Sequence, residues 1–149
     1  MANQEMYKHD ALLHLLWIVA SANTTTDDEK YGAVSSVEDE YYEKVKKAEG
    51  INISFSEISD KRNLLRESIG TNGILNEALK ATNGCGREWR TKVYGYMWLM
   101  ALKSWENEYY NDGDQRVVSV DEKAIIDKAR KYFGITEEED DKCISLTKV

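Results

Sequence analysis

The sequence contains no proline, only two cysteines and two histidines, and no apolar run longer than about half of what a bilayer-spanning helix needs. Without proline, glycine and asparagine are left to end the helices. Cys85 and Cys143 lie far apart and make no metal-ligand spacing, so they read as two free thiols of an intracellular, cytoplasmic protein. His9 falls in a polar lead-in and His14 inside an apolar run, where a satisfied core side chain is the expected role. Neither belongs to a Glu-x-x-His pair, which excludes a carboxylate-bridged di-iron bundle. Gly-x-Ser-x-Gly is absent, neither cysteine has a neighbouring basic residue that forms a known pattern, with Arg87 near Cys85 as the weak exception, and the glycines at 84–86 are too few to cradle a phosphate. A non-enzymatic protein follows. Basic residues are also short, 20 against 27 acids for a net charge of −7, and nucleic acid is therefore excluded as a partner. Met1 to Asp10 is polar, so neither a signal peptide nor a membrane span is expected.

The 149 residues that remain to be organised suit one domain, with residues 1–6 and 137–149 flexible or peripheral. The stretch Arg87 to Tyr110 holds Val93 through Leu102 without a charge, flanked by Trp89 and Trp105. A segment that is apolar on all sides has no solvent face, so as a helix it should form the buried spine of a bundle. Ala11 to Ala20 has the same character and reads as a second enclosed helix beside it. Ser35-x-x-Glu38 opens a helix from Val37 to Glu49, with Val37, Tyr41, Val45 and Ala48 inward and Gly50 as terminator. Ser54-x-x-Glu57 opens another, carrying Phe55, Ile58, Leu65 and Ile69 on one side and ending at Gly70. A short helix from Gly73 to Thr82 places Ile74, Leu75, Ala78 and Leu79 inward, and 83–86 turn into the spine. Ser119-x-x-Glu122 starts a helix to Phe133 with Ile125, Ile126, Ala129 and Phe133 inward and Gly134 as stop. Thr136-x-x-Glu139 caps a last short helix or else begins a solvated tail. The fold class is all-α, a single-domain bundle of six to seven helices.

At an offset of 84, Leu12 to Ile51 lies over Tyr96 to Ile135 without a gap. Each half reads as apolar helix, acidic loop, capped amphipathic helix and Gly-Ile stop, which predicts an internal duplication of a helix-loop-helix unit. The acidic loops supply the candidate site. Asp112, Asp114, Asp121 and Glu122 fall within eleven residues, and Asp28 and Glu38 occupy the first loop and its helix. An EF-hand register starting at Asn111 fails, because it puts Gly113, Gln115 and Arg116 at positions 3, 5 and 6, where two oxygen ligands and a glycine belong. A looser oxygen site for Ca²⁺ or Mg²⁺ stays open, and so does a role for these residues as turn formers and helix caps.

The residues Ala20-Ser21-Ala22 before an acidic loop, Asp112-Gly113 followed by Val118-Ser119 and Asp121-Glu122, and the close on Phe133-Gly134-Ile135 make the chain resemble the TerB-like (tellurite resistance) family of bacterial all-helical domains. The likeness covers Leu12 to Ile135. It departs from the family pattern at Asn23-Thr24, where Asp-Gly is expected, and in extra residues between Gly113 and Val118. The resemblance implies an acidic binding or sensing module in a stress or metal-resistance response, with a protein partner and divalent cations at the acidic loops. A metal-dependent enzyme using the same carboxylates and an ion-free protein-interaction domain are the alternatives.

Overall fold

A computed structural model describes residues 6–22, 36–103 and 120–147, and among these every element is helical. The helices are α1 (Lys8–Ser21), α2 (Ser36–Ala48), α3 (Phe55–Asn83), α4 (Arg87–Lys103), α5 (Val120–Phe133) and α6 (Asp140–Leu146), the last entered through a 3₁₀ turn at Glu137–Glu139. The expected spine is α4, which packs against every other helix. It buries Val93, Tyr94, Tyr96, Met97, Trp98, Met100 and Ala101, while Leu99 and Leu102 are only partly covered. Beside it lies α1, in which every residue from Ala11 to Ala20 is buried and whose broadest contact is with α3. Two helices without a polar face thus sit together at the centre, and the amphipathic ones enclose them. No described helix is long and apolar enough to cross a membrane.

The terminators behave as glycine chemistry requires. Gly50 and Gly134 adopt φ of 67° and 72°, the left-handed region that other residues enter at a cost. The amide of Ile51 then bonds the Lys46 carbonyl while Gly50 bonds Lys47; the amide of Ile135 bonds Arg130 while Gly134 bonds Lys131. These are two copies of one capping motif, separated by the offset of 84 at which the sequence aligns with itself. Gly70, at φ 75° and ψ 171°, leaves the helical region, so α3 is two helical segments that meet at a kink there, where the sequence places a stop.

Several expectations change. Phe55 is 61% exposed, because it is the first residue of α3 and lies beyond the reach of the core. Ala48 is exposed in the last turn of α2, where Tyr42 joins Tyr41 and Val45 on the buried face. Ile125 is only partly covered. The C-terminal segment is packed, not peripheral: Thr136 and Glu139 form a complete capping box, and α6 buries Cys143 and Ile144 against α4. Gly95 makes that approach possible, since a methyl group there would overlap the Cys143 carbonyl and the Thr147 hydroxyl. The interface is pinned by a buried chain in which Trp98 Nε1 donates to the Tyr94 hydroxyl over 3.0 Å and Tyr94 donates to Asp140 over 2.7 Å. On the other side of α4, Tyr96 and Lys92 both reach the Glu49 carboxylate at the end of α2.

Candidate functional site

Four Ser/Thr-x-x-Glu motifs mark helix starts in this chain, and their glutamates have different environments. Glu57 is exposed and Glu139 half-buried, as suits a side chain whose task is to satisfy a terminal amide. Glu38 and Glu122 are 3% and 0% exposed. Both stand third in their helices, at positions that correspond under the offset of 84, and both have interaction partners. A buried carboxylate is stable only when hydrogen-bonded or matched by a cation, so these two are held to a stricter requirement than a surface cap.

The other proposed ligands divide. Asp121 is exposed in the first turn of α5, beside Glu122 in sequence but not in burial. Asp28, Asp112 and Asp114 lie outside the described residues, as do Ser35, Ser119 and Trp105. Among the described residues no group of three His, Cys, Asp or Glu side chains is placed to hold a metal ion. Asp121 thus differs from the junction glutamates in lying at the surface.

A second polar centre lies between α1 and α3. Asp10 is buried in the first turn of α1 and accepts from Lys61 Nζ at 3.0 Å. Its carbonyl oxygen lies 2.8 Å from His14 Nδ1. A carbonyl only accepts, so Nδ1 carries the proton and Nε2, which has no hydrogen-bond partner, carries the lone pair. The expected satisfied core histidine is therefore satisfied at one nitrogen only. Burial lowers its pKa, the hydrogen bond to Asp10 opposes that, and the Arg62 charge adds to the lowering. Arg62 itself is buried and stacks on Trp17. A sequence signal for this was present: Ile58, Arg62, Leu65 and Ile69 recur at helical spacing, which places a charge on an otherwise apolar stripe.

The thiols are free, with Cys85 exposed and Cys143 buried. Burial pushes the Cys143 thiol up to about 11, and Asp140 adds to the effect, so it is not a nucleophile. Cys85 donates to the Ala81 carbonyl. His9 tilts against Trp89, which also carries the ammonium groups of Lys8 and Lys92 near its ring. No family model, curated protein or solved structure matches the chain.

Proposed function

We propose that this chain is a non-enzymatic, TerB-like helical binding or sensing module that takes a divalent cation of the Ca²⁺ or Mg²⁺ class at its loop-to-helix junctions. It would act in the cytoplasm, through a protein partner, in a stress or metal-resistance response. The observation that supports this reading is the burial of Glu38 and Glu122 at corresponding positions, where the same motif elsewhere leaves its glutamate exposed or half-buried. Each follows an acidic loop, so a hard cation bound there would be offered carboxylate oxygens from both loop and helix. Asp112 and Asp114 are the first-choice ligands, with Glu122 reaching back from α5 and Asp121 at the surface beside it; Asp28 and Glu38 are the counterparts in the other half. Calorimetric titration with Ca²⁺, Mg²⁺ and Zn²⁺ tests the reading. Saturable heat with Ca²⁺ or Mg²⁺ that is lost in Glu122→Gln supports it. Absence of heat with every ion removes the cation and leaves an ion-free interaction domain.

A further inference from the structure

Arg62 occupies the core-facing stripe of α3 at 7% exposure, yet no carboxylate among the described residues stands within ion-pair distance of it. Its guanidinium carbon lies 4.3 Å from the centroid of the Trp17 ring. Arg66, one turn further on and exposed, places its own guanidinium 5.6 Å from the same ring and is likewise without an acid partner. Two like charges therefore share one indole in a molecule whose net charge is −7. Tyr42 of α2 is buried nearby, and its hydroxyl has no hydrogen-bond partner.

Buried charge is tolerated when paired, and arginine cannot relieve itself by losing its proton. Burial and the Arg66 charge both work against the Arg62 cation. The indole face offsets part of the cost but supplies no acceptor for the guanidinium N–H groups. Among the described residues, what the pair lacks is an acceptor bearing negative charge. Asp10, which acts on His14 together with Arg62, is already engaged by Lys61. Neutral His14 offers only a buried lone pair at Nε2, which gives an anion nothing to bind. Asp39 and Glu43 lie near Tyr42 on α2 and oppose an anion on that side, so the two arginines must supply the affinity.

We propose that Arg62 and Arg66, with Trp17 as the floor and the Tyr42 hydroxyl as a further donor, form a binding site for a small doubly charged oxyanion, the phosphoryl or dicarboxylate group of a small molecule. Two guanidinium forks match two negative charges, and each fork presents parallel N–H donors to a pair of oxygens. The exposed Arg66 gives access from solvent and the buried Arg62 gives strength, because a charge-assisted hydrogen bond gains where water is excluded. This site is independent of the cation reading and uses none of its residues.

Melting of the full chain at fixed ionic strength, with chloride replaced stepwise by inorganic phosphate or by succinate up to a few millimolar, tests the proposal. A saturable rise in Tm is expected with at least one of them. A rise with phosphate alone identifies the phosphoryl class, and a rise with succinate alone identifies the dicarboxylate class. Arg66→Gln should weaken the response about tenfold or more, the usual effect of losing one charge-assisted hydrogen bond. Arg62→Met, which keeps volume and removes charge, should abolish it. Phosphate also stabilises folded chains by exclusion from their surfaces, but that effect does not saturate at millimolar concentration and is indifferent to a single substitution. An equal rise in the parent and Arg66→Gln, or no saturable rise with either anion, overturns the site. Because Arg66 is exposed, its variant remains informative even where Arg62→Met fails to fold.

Discussion

His14 is fully buried in α1, and its one hydrogen bond, to the Asp10 carbonyl, can be kept by the neutral ring. The consequence is a defined dependence of stability on pH. Its folded pKa lies below the ordinary 6.5, so between the two values the unfolded chain holds a proton that the folded chain does not. Stability then falls as pH drops through 6.5 toward the folded pKa, at up to about 1.4 kcal/mol per pH unit. Above pH 6.5 the residue contributes no slope. Asp10, Lys61 and Arg62 surround the ring, and the two cations deepen the effect while Asp10 opposes it. Urea midpoints measured from pH 5 to pH 8 should show a smaller acid loss in His14→Gln than in the parent; identical slopes would mean that the ring is solvated. At this scale the sequence was only half legible. The burial of His14 could be read from its apolar neighbours, but not which atom it bonds, since that depends on α1 turning Asp10 onto the same face. The burial of Arg62 is marked in the sequence only by its place on the apolar stripe of α3, and an arginine alone reads as a surface residue until Trp17 is brought beside it.

Among the elements, the pairing of α4 with α6 shows how one missing side chain sets a helix position. A Cβ on Gly95 would lie 2.3 Å from the Cys143 carbonyl oxygen and 2.4 Å from Thr147 Oγ1, contacts that backbone atoms of α6 cannot relieve by rotating a side chain. Gly95→Ala should therefore push α6 off α4 and cost about 1 to 3 kcal/mol, the range for inserting a methyl group into a packed site. The displacement has its own readout. Cys143 is buried with its thiol held up at about 11, so it resists alkylation in the parent while Cys85 reacts. In Gly95→Ala, Cys143 should react under native conditions; a variant as stable as the parent and with Cys143 still protected would place the helices further apart than described. Element positions were otherwise well marked in the chain. Capping boxes and glycine stops located the start of α3 and the ends of α2 and α5, because those signals act within a few residues. The break at Gly70 was legible in the same way, because a φ of 75° is a local demand that glycine meets. The docking of α6 was not, because its seat is the bare backbone at Gly95, which in sequence is merely a gap in an apolar run.

For the molecule as a whole, the central fact is a charge of −7 on a bundle whose acids gather beside the starts of α2 and α5. Self-repulsion of that kind lowers stability and makes it responsive to any cation. Screening by ordinary salt acts on all the charges at once, whereas a bound divalent ion acts where carboxylates converge. Asp112, Asp114, Asp121 and Glu122 fall within eleven residues, and the buried Glu122 is the member least able to use water as a partner. An ion that binds only the folded chain stabilises it by mass action, about 2.7 kcal/mol at a hundred times its dissociation constant. At constant ionic strength, Ca²⁺ or Mg²⁺ should therefore raise the Tm of the parent. The rise should be much smaller in the double variant Asp112→Asn, Asp114→Asn, which keeps the shapes of the side chains and removes two negative charges. That variant should also start from a Tm at or above the parent's without the ion, because the repulsion has been removed in advance. A lower starting Tm in the variant would assign Asp112 and Asp114 to turn formation. An equal rise in both proteins would move the ion to another group of carboxylates, and no rise in either would leave Glu38 and Glu122 as buried caps of α2 and α5.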